Sequence, residues 1–221
     1  MANLIDFIDP AESVDGIVAL GGPLTTTNLV RAYCNGIFPW PINEYILPWC
    51  CPEKRGILEF SDLHISRSLA RAHRKSTFDF TIDQSFLGVI TACAKVKRKW
   101  ESGTWITQQM IRAYDELHQK GHAHSVEVWA GTELVGGVYG VDACGSFSGE
   151  SMFTLRPNAS KLALLFLIDH LKSRGLDWMD IQMLTPHMEA MGAKTIDRSE
   201  FLERLAATQG RKLNLFPKSS H

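Results

Sequence analysis

Residues 125–153 read SVEVWAGTELVGGVYGVDACGSFSGESMF, and this stretch decides the fold. β-Branched and aromatic residues fill 125–129, 133–141 and 146–153, and the turn signals Gly131-Thr132 and Ala143-Cys144-Gly145 separate them. Three strands joined by turns this short form an antiparallel meander. Downstream, Asn158 or Ser160 caps a long apolar helix that stops at Arg174-Gly175. A buried strand over 178–183 follows, then Thr185-Pro186 opens a short helix to Met191, and Ser199 caps a last helix through Leu205. Upstream, helices over about 65–75 and 84–95 flank an alternating strand at Phe78, Phe80 and Ile82. A third helix starts near Thr107 and stops at Gly121. The segment 21–58 is rich in Gly, Pro and aromatics, which suits short strands and fixed turns, with one helix at 27–35.

The reading is a small N-terminal α+β domain over residues 1–60 and an α+β domain with a mixed sheet over 61–221. The element order of the second domain suits an acyl-transfer fold of the N-acetyltransferase type. Acetyl-CoA enzymes of that fold cradle a pyrophosphate on a Gly-rich loop before the long helix. Here residues 154–161 contain no glycine, so close backbone approach to a pyrophosphate is not provided for.

The chain has 221 residues, 45% apolar and 21% charged, with a net charge of −1. This excludes a disordered chain, a coiled coil, and a protein that coats nucleic acid by bulk positive charge. The near-neutral total hides a gradient: residues 1–63 carry a net −5, residues 64–100 a net +6 and residues 101–221 a net −2. Residues 1–15 hold four acids and no base, which argues against a signal peptide, and the longest apolar run, 162–168, is far short of a membrane span. Five cysteines with no CxxC spacing point to a reduced, cytoplasmic protein.

Four constellations could carry chemistry. Arg67, Arg71, Arg74 and Lys75 share one helix face, anchored by Ile65, Leu69 and Ala72, and a second basic run occupies Lys95, Lys97, Arg98 and Lys99. Such a stripe is either a solvated surface or a phosphate contact. Tyr33, Trp40, Trp49 and Trp105 lie in loop-rich sequence and are either core filling or platforms for a nucleobase. Asp180 and Gln182 face one side of a buried strand, and Glu150 lies on another; an acid there is either structurally paired or functional. His118, His122 and His124 have metal-like spacing, but the helix end at Gly121 divides them, and no metal site is expected.

Taken together, the segments GIFPW (36–40), LHISRS (63–68), GTWI (103–106), GHAHSVEVW (121–129), LVGGVYG (134–140), GESMF (149–153), NASK (158–161) and DIQ (180–182) resemble the leucyl/phenylalanyl-tRNA–protein transferases, in order and along nearly the whole chain. The resemblance implies an N-acetyltransferase-like catalytic domain that moves Leu, Phe or Met from aminoacyl-tRNA. The acceptor is the α-amine of a protein beginning with Arg or Lys, and the product is marked for N-end rule degradation. It implies catalytic roles for Asp180, Gln182 and Glu150, contacts of Tyr33, Trp40 and Trp105 with the 3′ adenosine, and a side-chain pocket of Val138, Phe147, Leu164 and Leu167. The phosphate contacts fall to Arg67, Arg71, Arg74 and Lys75, with no cofactor and no metal, in a cytoplasmic monomer. The chain departs from the family pattern at Val138, often Met, at Leu167, often aromatic, and at Ala70, often basic. The common Ser-Pro-Asp-Pro-Arg stretch reads Cys51-Pro52-Glu53-Lys54-Arg55. Two other classes fit the residues: a tRNA-dependent transferase acting on a non-protein amine, and a non-catalytic RNA-binding module.

Aminolysis of an ester needs a neutral amine, and an α-ammonium loses its proton at a reference pKa of about 7.7–8.0. Asp180 is the expected proton acceptor or orienting charge. Gln182, not basic, orients the amine, and Glu150 attracts the cationic acceptor or supports Asp180.

Overall fold

The computed structural model describes residues 4–43, 45–96 and 105–217. A 3-10 turn at Pro10–Glu12 precedes β1 (Ile17–Leu20), α1 (Thr26–Cys34), β2 (Phe38–Pro39) and β3 (Pro48–Cys50). The three strands form a small antiparallel sheet in the order β1-β3-β2. Thr25 caps α1 by accepting the Asn28 N–H at 3.3 Å.

The larger sheet starts with β4 (Lys54–Glu59). Then come α2 (Arg67–Lys75), β5 (Asp79–Ile82), α3 (Phe86–Lys95), α4 (Gln108–Gln119), β6 (Ala123–Ala130), β7 (Glu133–Asp142), β8 (Phe147–Thr154), α5 (Ala159–Ser173), β9 (Trp178–Gln182), α6 (Pro186–Glu189), β10 (Lys194–Asp197) and α7 (Arg198–Gly210). Seven strands pair in the order β10-β4-β9-β8-β7-β6-β5. The expected mixed α+β layer is therefore present, and the 125–153 stretch forms its antiparallel meander. β4 lies between β10 and β9, so residues 54–59 belong to the larger sheet although they precede the expected division at residue 60.

Strand alternation sends neighbouring side chains to opposite faces. On one face, Tyr139, Val141 and Phe153 pack with Val89 and Ile90 of α3 and Met110 and Tyr114 of α4. On the other, Val126, Val128 and Val138 pack with Leu164, Leu167 and Ile168 of α5. α5 is apolar nearly all round because sheet and tail cover it. Its first turn presses on β7, where a Cβ added to Gly136 would lie 2.5 Å from the Ala159 Cβ; only glycine admits this approach.

All pairings are antiparallel except β8 with β9, which is parallel and registers only at Ser148↔Asp180. Beyond that point the strands part, and Glu150 and Gln182 stand on either side of the opening. Gln182 has a φ of 61° and centres a tight turn in which the Met183 N–H bonds the Ile181 carbonyl at 2.7 Å. This left-handed conformation, uncommon for a residue with a Cβ, ends β9 at the opening.

Several boundaries shift for local reasons. α2 begins at Arg67 rather than 65, because Ser66 accepts the Leu69 N–H at 3.2 Å and leaves Ile65 outside, exposed. α3 begins at Phe86 because the Glu127 carboxylate holds the Gln84 and Ser85 N–H groups. Asn158 does stand at the N-terminus of α5, but in a left-handed conformation and without a side-chain cap bond. Ser199 is a first-turn residue, not the cap of α7; Asp197 holds the cap position while its carboxylate binds Lys54 at 2.6 Å.

The expectation of wholly reduced cysteines is corrected. Cys34, at the end of α1, and Cys144, in the β7–β8 turn, form a disulfide with a Cα–Cα distance of 6.1 Å, while Cys50, Cys51 and Cys93 are free thiols. The two partners are 110 residues apart, so their meeting is tertiary and leaves no spacing signal. Among the described residues, no helix is long and apolar enough to cross a membrane and no cluster could hold a metal ion. His118 bonds the Ala123 carbonyl and His124 bonds Asp83 at 2.6 Å, so these rings have structural partners.

Candidate active site

The parting of β8 and β9 opens a cavity of about 300 Å³. Its polar lining includes Glu150 and Gln182, with Ser151, Thr185 and His187. Val138, Met152, Leu164, Met179, Ile181 and Met188 form an apolar wall, and Trp40 and Trp105 stand at one side, stacked with centroids 5.3 Å apart and planes 15° apart. Pro39 and Pro41 flank Trp40 and fix its backbone. A concave, mostly apolar site with a few converging polar groups is the usual form of a small-ligand site.

Glu150 is half-buried and lines the cavity. Its Oε1 accepts from the Gln182 Nε2 at 2.5 Å and the Tyr33 hydroxyl at 2.7 Å, and its Oε2 accepts from the Tyr114 hydroxyl at 3.5 Å. The two phenols also bond each other. Burial pushes the Glu150 carboxyl up to about 7, against the opposing pull of the Tyr33 bond, and the nearby Asp180 charge adds to the rise. Burial and the neighbouring carboxylate also raise both phenols well above their ordinary range, so they remain donors.

Asp180 has a different environment. Arg55 grips it in a fork, Nε to Oδ1 at 2.8 Å and Nη2 to Oδ2 at 2.7 Å. The Gln182 backbone N–H donates to Oδ1 at 2.8 Å, and the Ser148 hydroxyl donates to Oδ2. Four donors fill the lone pairs of the carboxylate. Asp180 is 2% exposed and does not line the cavity. Arg55 is also buried, donates to the Gly36 carbonyl at 2.9 Å, and lies between the Phe38 and Phe201 rings at 4.6 and 4.4 Å. The expectation that Asp180 receives the amine's proton is thus at odds with the geometry: Asp180 fixes the Gln182 backbone, and Glu150 faces the cavity.

The other expected positions divide in the same way. Trp40 and Trp105 line the cavity; Tyr33, 2% exposed, lies beneath Glu150 and presents no free face to a nucleobase. Trp49 is fully buried and bonds the Gly21 carbonyl at 2.9 Å, so it is core filling. Val138 and Leu164 line the apolar wall, whereas Phe147 and Leu167 support it from the core. Sequence reasoning missed the four wall methionines, Met152, Met179, Met183 and Met188, together with Tyr114, Arg55 and His187. Arg55 had one weak signal: it is the last of the charges Glu53-Lys54-Arg55, directly before the apolar run Gly56-Ile57-Leu58.

Arg67, Arg71, Arg74 and Lys75 are all exposed on α2, and no ion pair ties them to a described carboxylate. Leu69 alone on that helix is buried and seats it. Lys97, Arg98 and Lys99, and with them Gly103 and Thr104, lie outside the described residues.

A mixed sheet that opens at its parallel strand pair, with a carboxyl raised to about 7 by burial in the opening, suits an enzyme that moves a proton during group transfer. The chain belongs to the leucyl/phenylalanyl-tRNA protein transferase family, whose pattern matches residues 57–206, with the family's N-terminal domain matching residues 22–53. A leucyl/phenylalanyl-tRNA–protein transferase of Shewanella sp. (strain W3-18-1) is 43% identical over 90% of this chain and 84% of its own length. One of Sulfurimonas denitrificans is 48% identical over 86% of this chain and 83% of its own. A solved structure described as L-PGS from Bacillus licheniformis overlaps 68% of this chain and 47% of its own, with a TM-score of 0.39 at 16% identity.

Proposed function

We propose that the chain transfers Leu, Phe or Met from aminoacyl-tRNA to the α-amine of proteins beginning with Arg or Lys, marking them for N-end rule degradation, as a cytoplasmic monomer using neither metal nor cofactor. The observation that carries the reading is that Glu150 and Gln182 open onto the same cavity as Trp40, Trp105 and an apolar wall. The segment through about residue 60 supplies Trp40 to the 3′ adenosine, and Trp105 completes that platform. Val138, Leu164 and the methionines receive the amino-acid side chain, with Phe147 and Leu167 behind them. Methionine adapts to differently shaped apolar groups, which suits a pocket that accepts Leu, Phe and Met alike.

Glu150 attracts the acceptor ammonium and takes its proton. A base with a pKa of about 7 is matched to an α-ammonium of about 7.7–8.0. The Gln182 side chain holds Glu150 and orients the amine. Asp180 and Arg55 act as positioning residues behind Gln182.

The deciding experiment follows labelled Leu from Leu-tRNA to peptides starting with Lys, Arg or Ala. Transfer to the first two only is the expected result. Transfer to a free non-protein amine but to none of the peptides would move the chain to the other transferase class, and binding without transfer to an RNA module. The α2 stripe has a separate test: Arg67/Arg71/Arg74→Ala should weaken tRNA binding and flatten its salt dependence by roughly one log-log unit per lost phosphate contact. Unchanged affinity returns the stripe to a solvated surface.

A further inference from the structure

The Cys34–Cys144 bridge ties together two segments that meet at the site. Cys34 directly follows Tyr33, whose hydroxyl donates to Glu150 at 2.7 Å, and Cys144 lies in the turn that leads into β8, the strand of Glu150. The bridge and that hydrogen bond therefore join the same two elements, α1 and β8. Their alignment does not rest on the sulfur bond alone. Gln209 of α7 donates from Nε2 to the Cys34 carbonyl at 3.0 Å and to the Ala143 carbonyl at 3.2 Å. The turn itself is closed by the Gly145 N–H, which donates to the Asp142 carboxylate at 2.7 Å. These contacts hold Cys34 opposite Cys144 with the sulfurs joined or apart.

The pair is also reachable. Cys144 is exposed and Cys34 half-buried, so a small thiol or disulfide meets Cys144 first. The other cysteines are shielded: Cys51 and Cys93 are buried, and burial pushes the Cys50 thiol up to about 11, which keeps it protonated near pH 7. In the cytoplasmic setting proposed above, thiol pools keep permanent disulfides rare, and an exposed pair is open to exchange. We propose that Cys34 and Cys144 are a reversible thiol–disulfide couple, and that its closure locks α1 onto the start of β8 around the Tyr33–Glu150 contact. The oxidant is a small-molecule disulfide of the glutathione class. The Cys144 thiolate attacks it, one glutathione thiolate leaves, and a mixed disulfide forms; Cys34 then attacks the Cys144 sulfur and expels the second glutathione. Two cysteine thiols give up two electrons and two protons, and the small disulfide becomes two thiols.

The test equilibrates the full chain in glutathione buffers that run from reducing to oxidising, traps the thiols in denaturant with N-ethylmaleimide, and weighs the product. Five labels are expected at the reducing end and three at the oxidising end, since the chain has five cysteines and the bridge takes two. Returning the oxidised sample to reducing buffer should restore five. Joining residues 110 apart restricts the unfolded chain, so the oxidised form should melt about 10 °C above the reduced one. Cys34→Ser should melt at the reduced wild-type temperature in both buffers. Leu-tRNA transfer should survive heating in the oxidised form to temperatures that abolish it in the reduced form, since Tyr33 leaves Glu150 when α1 comes away. Three results overturn the proposal: three labels at every ratio, which makes the bridge a fixed staple; five at every ratio, which means that it never closes; or equal melting temperatures of the oxidised and reduced chains. Failure of the transferase reading looks different: the wild-type chain then transfers nothing, while labels and melts still decide the couple.

Discussion

Glu150→Gln keeps its fold and loses transfer by a factor of about 10²–10⁴, the usual worth of a positioned proton acceptor. The amide is nearly isosteric, and its oxygen still accepts from Tyr33 and Gln182, so the cavity wall keeps its bonds. What disappears is the ability to take a proton. Wild-type kcat should fall as pH drops through about 7, where Glu150 becomes neutral, and the residual activity of the variant should lack that limb.

Stability moves the other way. The folded carboxyl titrates at about 7 and the unfolded one at its ordinary 4.5, so between these values the native state binds more protons than the unfolded state. The contribution of Glu150 to stability is therefore present below the lower value and is lost as pH rises through the upper one. Thermal melts at pH 8 should find Glu150→Gln as stable as wild type or more so. A variant that loses activity only because it melts early would remove Glu150 from the reaction.

Arg55→Met is expected to cost about 3–5 kcal/mol, because it leaves the Asp180 carboxylate buried without its counter-charge. The loss extends beyond one pair. The guanidinium also holds the Gly36 carbonyl and lies between Phe38 and Phe201, so it joins the N-terminal segment, β4, β9 and α7. The double variant Arg55→Met with Asp180→Leu removes both charges and should recover much of the melting temperature. Transfer should stay low in both: the single variant frees Asp180 from the fork that holds it in place, and the double variant removes the acceptor of the Gln182 N–H, which fixes the left-handed backbone there. An Arg55→Met protein that melts within a few degrees of wild type would show that Asp180 does not need its partner. A double variant with full activity would remove the positioning role of the pair.

Much of this architecture was legible in the chain. Alternation over 125–153 gave the meander, and the spacing of Asp180 and Gln182 placed both near the end of one strand. The i, i+4, i+7 arginines gave an exposed basic face on α2. The motifs carried the family. Less legible were the strands β1, β4 and β10, whose burial does not alternate (β4 is buried at four successive positions), and the Cys34–Cys144 pair. Tyr33 illustrates the limit within the site. Its residue type suits a stacking platform, but its burial beneath Glu150 leaves its hydroxyl to the carboxylate and its ring no free face.

The sequence by itself determined that two acids and an amide would stand on two strands of a mixed sheet, because strand periodicity and residue chemistry are local properties; that the two strands are neighbours is tertiary. Only the tertiary structure set the two acids in different surroundings. Arg55 reaches Asp180 across 125 residues and Tyr33 reaches Glu150 across 117. A carboxyl's proton affinity is set by the charges and dielectric around it, and here those come from distant segments. One acid was paired with a guanidinium and closed off; the other was left at the cavity, its carboxyl raised to about 7 by burial.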